Sequence, residues 1–276
     1  MIQRQQEACI AAAKAGAEVL LGYFRKLDPA SVSEKSKNDL VSEADRKSEA
    51  VVKAELARHF PGYRFLGEET GDSGGEGELR WIVDPLDGTL NFVQGLPHWC
   101  ISVALWDGQG GLAGCIYDPL RQDLFVAARG RGAFWNGQPM AVSRQPGLDG
   151  AFLATGFAWQ LEQRWQAYNQ ALCAVFPRAK GIRRAGSAAL DLAHTACGIY
   201  DGYFEHGLKQ WDMAAGVILL QEAGGVITDW QGGPGWMESG SVVAGNPKVQ
   251  RVTELIGVTG PPTVAIYNGF EAPGRV

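Results

Sequence analysis

"WIVDPLDGTLNF", residues 81–92, runs an apolar segment into two aspartates three positions apart, with a proline between them and a Gly-Thr pair behind. The apolar start reads as a buried strand. Pro85 fixes its own φ, so Asp84 and Asp87 sit on a stiff turn, and the Leu86 carbonyl between them offers a further oxygen ligand. Gly88 admits close approach of a phosphate to the backbone, and Gly88-Thr89-Leu90 starts a short helix whose free N–H groups and positive dipole end attract an anion. On its own, an Asp-x-x-Asp pair is more often an ordinary surface turn than a metal site, and the remainder of the chain has to decide.

Other acids stand in comparable settings. Glu68-Glu69 follows "YRFLG", and Asp212 lies in "GLKQWD". Each comes after an apolar or strand-like stretch, so a sheet can deliver all of them to one end. Taken singly, Glu68-Glu69 is a solvated pair, Asp212 a helix N-cap, and Asp45 the acid of the S-x-x-D capping box in "SEAD". Brought together in a half-buried cleft, carboxylates repel one another and lose hydration unless cations sit among them. The donors are hard oxygens with no His or Cys adjacent in sequence, which favours Mg²⁺ or Mn²⁺ over zinc. Two such ions about 3.5–4 Å apart form the clamp used for in-line displacement at phosphorus.

The elements around these acids alternate between helical and extended patterns. Residues 3–25 show helical apolar spacing, and a second helix begins at Ser42 with Asp45 and closes near Phe60, before Pro61-Gly62. Strands are expected in "YRFLGEE", "RWIVDP", "CISVALWDG", "GLAGCIYDP" and "DLFVAARG", a meander with an Asn136-Gly137 hairpin at its end. A second mixed half starts near residue 150, with "AGSAALDLAHTACG" and "WDMAAGVILLQEAGG" as helices and "YDGYFEH" and "VITDW" as strands. The Asp212 helix is apolar almost all round and belongs in the interior between layers.

Composition excludes several function classes. The chain has 276 residues, 46% of them hydrophobic, and a net charge of −5 with no basic run, so nucleic acid and anionic membranes are poor partners and small molecules better ones. The five scattered cysteines show neither C-x-x-C spacing nor a disulfide framework, and with no signal peptide or spanning apolar run a cytoplasmic location is expected.

"GEET" at 67–70, "WIVDPLDGTLNF" and "WDMAAGVILLQEAGG" at 211–225 resemble the signature regions of the inositol monophosphatase family. "DLVSEAD" at 39–45, "GAFWNGQPMAVS" and "GSAALDLAHTACGIYDGYFE" match in order and spacing, so the resemblance spans roughly residues 5–257. It implies an α+β fold of the fructose-bisphosphatase and inositol monophosphatase kind. This is a layered αβαβα sandwich of two packed halves, roughly 1–145 and 146–257, within one domain that includes the tail 258–276. A homodimer, hydrolysis of a phosphomonoester with Mg²⁺, and lithium sensitivity are implied as well.

Carried over residue by residue, the resemblance puts Glu68, Asp84 and the Leu86 carbonyl on a first metal and Asp84, Asp87 and Asp212 on a second. Glu69 takes part in a third through water, Glu69 and Thr89 orient the attacking water, and Asp45 bonds the Thr89 hydroxyl. Backbone groups of Gly88 and Thr89 bind phosphate, while Gly186, Ser187, Ala188, Glu205 and Asp212 line the alcohol side. Lys35 and Lys37 both fit a lysine the family often carries before "DLV". The histidines are expected to serve packing, and Arg183-Arg184 a subunit contact. The expected substrate is myo-inositol 1-phosphate; histidinol phosphate, fructose 1,6-bisphosphate and adenosine 3′,5′-bisphosphate share the mechanism. A regulatory protein-binding relative is the competing class.

Overall fold

The computed structural model describes residues 1–27, 32–36, 39–157 and 165–249. Lys37 and the tail 258–276 lie outside the described residues. Helix α1 (Ile2–Tyr23) turns a stripe of Ala8, Cys9, Ala12, Ala13, Gly16, Ala17 and Leu20 inward. Small residues let a neighbour approach closely: a Cβ on Gly16 would lie 2.7 Å from Val52 Cγ2. Strands β1 (Val32–Ser36) and β2 (Asp39–Ser42) pair antiparallel and lead into α2 (Glu43–His59). The predicted capping box is present. Ser42 Oγ accepts the Ala44 N–H and the Asp45 carboxylate accepts the Ser42 N–H at 2.9 Å.

The meander forms one large sheet. It contains β3 (Arg64–Gly67), β4 (Gly71–Gly74), β5 (Arg80–Asp87), then, past helix α3 (Thr89–Val93), β6 (Cys100–Asp107), β7 (Gly110–Asp118), β8 (Asp123–Ala128), β9 (Ala133–Trp135) and β10 (Gln138–Pro139), in the order β10-β9-β8-β7-β6-β5-β3-β4. Among the described residues only the β3–β5 pair is parallel within it. Asn136 and Gly137, at φ 48° and 77°, make the β9–β10 turn, as the dipeptide predicts. Both faces are buried, and alternate residues divide between them. Trp81, Val83, Ile101 and Val103 join the core under α1 and α2. Ile82, Cys100, Ala104 and Ile116 face the opposite way.

The second half supplies β11 (Phe152–Thr155), α4 (Trp165–Val175), β12 (Gly181–Arg183), α5 (Ala188–Ala196), β13 (Gly202–His206), α6 (Gln210–Glu222), β14 (Val226–Thr228), α7 (Trp236–Ser239) and β15 (Ser241–Gly245). Its sheet runs β12-β11-β13-β15-β14, parallel at the β12 end and antiparallel through β15. Helices α5 and α6 are sandwiched between the sheets: Tyr203, Val242 and Ala244 pack on them from one side and Ile82 and Ile116 from the other. Phe204 and Val243 point outward onto Tyr168, Ala171 and Val175 of α4. The layers are therefore α1/α2, large sheet, α5/α6, small sheet, α4, an α+β sandwich as expected. Among the described residues no helix is long and apolar enough to cross a membrane.

The arrangement explains how distant acids meet. Because β3 and β5 are parallel, with Gly67 opposite Val83, both strands release their following acids at the same sheet end. The Glu68 N–H still donates to Val83 O at 3.2 Å. Between Asp84 and Asp87, β5 carries one residue more than β6 does between Ser102 and Cys100, a bulge that aims both carboxylates off the sheet.

Candidate active site

Asp84 and Asp87 are buried and Asp212, in the first turn of α6, is half-buried; one oxygen of each lies within 4.8 Å of the others. Burial pushes the Asp84 carboxyl well above the usual range, and the charges of Glu68, Asp87 and Asp212 add to the shift. Asp212 is raised in the same way, by burial and then by Asp87. Burial also raises Asp87, against hydrogen bonds from Ser187 and Ala189 that favour its charged form. Three carboxylates in one buried corner repel one another unless positive charge sits between them, so the donor set fits hard divalent cations. Pro85 cannot donate, which leaves the Leu86 N–H to bond Asp84 Oδ1 at 2.9 Å.

The Leu86 carbonyl accepts the Thr89 hydroxyl at 3.0 Å, with Asp45 Oδ1 at 3.3 Å as its second acceptor. Asp45 is thus both the capping-box acid and the partner of Thr89. Gly88 has φ +91° and no room for a side chain, since a Cβ there would lie 3.0 Å from His98 O. Glu68 and Glu69 are half-buried on the loop after β3. The Glu68 charge is felt at Asp84 and Asp212, and the Glu69 N–H is held by Glu49 Oε2 at 2.8 Å.

The expected alcohol-side residues come from the second half. Glu205, on β13, is 9% exposed and accepts the Tyr203 hydroxyl at 2.6 Å. Burial raises its carboxyl to about 7, although Tyr203 and Arg184 pull the other way. Gly156 leaves the space it occupies: a Cβ there would overlap the carboxylate. Gly186 has φ +90° and Ala188 is buried in the start of α5. The Ser187 side chain is engaged inside the protein, N-capping α5 through Leu190 N–H and donating to Asp87 Oδ2.

Other expectations fall as follows. His98 and His194 lie with ring centroids 6.2 Å apart, and His206 packs 5.7 Å from Trp230. Arg183 and Arg184 are both exposed; Arg183 lies over the Phe152 ring and Arg184 reaches Phe157 O at 3.4 Å. Sequence reading passed over Ser48 and Glu49, three and four positions after Asp45, although that helical spacing places all three on one face. It also passed over Asn91, whose amide bonds His98 O at 2.8 Å and Ala185 O at 3.0 Å, tying α3 to the second half.

A profile described as "Inositol monophosphatase family" matches residues 2–256. The chain is 41% identical over 256 residues to "Nus factor SuhB" of Xylella fastidiosa, covering 90% of this chain and 92% of that one. Among solved structures, the extragenic suppressor protein suhB of Bartonella henselae superposes with a TM-score of 0.86 at 38% identity, over 92% of this chain and 98% of the other. The inositol monophosphatase of Anabaena does so with a TM-score of 0.80 at 39% identity, over 92% and 94%. With the profile spanning nearly the whole chain and the layered fold shared with these structures, the protein belongs to the inositol monophosphatase family.

Proposed function

We propose that the protein is a Mg²⁺-dependent phosphomonoester hydrolase whose substrate is myo-inositol 1-phosphate. The observation that carries this reading is the meeting of Asp84, Asp87 and Asp212 within 4.8 Å, in a chain of a phosphatase family. Glu68, Asp84 and the Leu86 carbonyl would hold one cation and Asp84, Asp87 and Asp212 a second, with Glu69 reaching a third through water. Mg²⁺, or Mn²⁺ in its place, would supply charge neutralisation among the acids, polarisation of the phosphoryl group and a more acidic water.

The chain's own residues account for the remainder. The Thr89 hydroxyl, set between Leu86 O and Asp45, orients the attacking water, and Glu69 accepts its proton. Gly88 and Thr89 present backbone N–H groups to the phosphate. Glu205 accepts hydrogen bonds from adjacent hydroxyls of a polyol, which an ionised carboxylate does without offering a donor of its own. Gly186, Ser187, Ala188 and Asp212 complete that side. The same phosphate machinery would serve histidinol phosphate, fructose 1,6-bisphosphate or adenosine 3′,5′-bisphosphate. Phosphate release from the four esters, with and without Mg²⁺ and lithium, tests the reading. The highest kcat/KM is expected for the inositol ester with Mg²⁺, with inhibition by lithium, and a higher value for histidinol phosphate would overturn the substrate assignment.

A second reading is favoured by one finding, the name Nus factor SuhB carried by relatives 41% identical over most of their length. On that reading the chain also binds a protein partner as a regulator; the net charge of −5 speaks against RNA itself. Stoichiometric recovery of transcription or ribosomal proteins with the tagged chain would support it. We further take the protein to be a cytoplasmic homodimer, which sedimentation at several concentrations would test.

A further inference from the structure

One face of α2 grips both acidic loops. Asp45 lies 3.3 Å from the Thr89 hydroxyl, Ser48 Oγ donates to Pro85 O at 3.0 Å, and Glu49 Oε2 accepts the Glu69 N–H at 2.8 Å. Glu49 is the costly member of the set. It has no exposed surface, and its Oε1 finds no hydrogen-bond partner among the described residues. An orphaned buried carboxylate oxygen lowers stability, so packing does not explain the side chain. Its place is nevertheless prepared: a Cβ on Gly67 would lie 2.3 Å from Glu49 Oε2, so β3 carries glycine where the carboxylate passes.

We propose that Glu49 is a positioning residue for the acidic loop after β3. By holding the Glu69 N–H it sets the direction in which Glu68 and Glu69 leave the strand, and thereby the affinity of the cation site, without touching the phosphate ester. The proposal rests on the cation-dependent reading above. Its physical basis is that ligand carboxylates lose affinity when their own orientation is not fixed by a supporting shell.

The test measures Mn²⁺ binding by calorimetry on the full chain, for wild type, Glu49→Ala and Glu49→Gln. Glu49→Gln retains a carbonyl for the Glu69 N–H and is expected to stay within about threefold of wild type, while Glu49→Ala weakens Mn²⁺ binding by roughly 10- to 100-fold. At saturating Mn²⁺ the KM for the ester should be the same in all three, as expected of a residue that does not touch the ester. Calorimetry well below each variant's melting temperature keeps a merely destabilised fold from lowering the Mn²⁺ affinity. A folded Glu49→Ala protein with wild-type Mn²⁺ affinity overturns the proposal, as does a Glu49→Gln protein that loses as much as Glu49→Ala. Should Glu49→Ala fail to fold, Gly67→Ala displaces the carboxylate from the opposite side, and unchanged Mn²⁺ affinity there is equally decisive against it. A wild type that binds Mn²⁺ but hydrolyses no ester refutes the phosphatase reading and leaves the affinity comparison valid; one that binds no Mn²⁺ overturns both.

Discussion

Ala189, in the first turn of α5, donates its backbone N–H to the carboxylate of Asp87 over 2.8 Å, joining residues 102 positions apart. The bond ties an acid of the candidate metal site in the first half to a helix of the second. Asp212 enters from the next helix along, α6, whose Gly216 packs against Leu192 of α5. The candidate site therefore exists only when the α5/α6 layer is docked on the large sheet, and cation binding should be coupled to the docking.

Replacing Asp87 by Asn should leave the fold largely intact, because the amide oxygen still accepts from Ala189. It removes one negative charge from the acid cluster, and turnover is expected to fall by at least about 100-fold, the loss seen when a group stabilising transition-state charge is removed. Steady-state kinetics beside near-ultraviolet circular dichroism reads both effects. Near-normal turnover would mean that a second cation, if any, is held elsewhere.

Stability should depend on pH and cation together. Folding raises the carboxyls of Asp84 and Asp212, first by burial and then by mutual repulsion, so without cations the folded state binds more protons than the unfolded chain. Stability then falls as pH rises through and above the ordinary carboxylate range. A divalent cation competes with those protons. The gain in melting temperature on adding Mg²⁺ should accordingly be larger at pH 8 than at pH 6. A gain independent of pH would count against cation binding at these acids.

Glu205 titrates near neutrality because burial raises its carboxyl to about 7. Below that pH it is protonated, and it loses acceptor capacity toward a polyol. The KM for a polyol phosphate should rise as pH falls through about 7, whereas a phosphate ester without neighbouring hydroxyls should show no such change. Glu205→Gln should raise the polyol KM by about tenfold, corresponding to the roughly 1.5 kcal/mol at the low end for a hydrogen bond to a charged group, and abolish this pH dependence. A variant that keeps the wild-type KM profile would remove Glu205 from the substrate site.

Gly216→Val probes the middle layer. A Cβ at that position would lie 2.5 Å from Leu192 Cβ, so α5 and α6 must separate to admit a branched side chain. Overpacking of this kind costs about 1–3 kcal/mol. A lower melting temperature with looser Mg²⁺ binding is expected, since the helices that move carry Asp212 and the Asp87 anchors. Unchanged Mg²⁺ affinity in a destabilised variant would uncouple the layer from the site.

Much of this was legible in one dimension, for local physical reasons. The Ser42–Asp45 capping box, the Asn136-Gly137 turn, the short strands bounded by turn residues and the all-apolar α6 each express backbone sterics or burial within a few residues. The acids were legible too, as residue types whose gathering favours cations. Less visible was β15, "SVVAG", buried on both faces and too short for its periodicity to separate strand from helix. What lay outside any local pattern was the set of pairings between distant segments: Ser187 and Ala189 on Asp87, Asn91 on Ala185, Glu49 on Glu69. Such bonds depend on which strands run parallel and which helix faces dock, and hydrogen-bonding groups carry no mark of their partner along the chain. Chemistry was therefore written in the types and spacing of residues, while its aim, the direction in which each carboxylate points, came from the packing of layers around it.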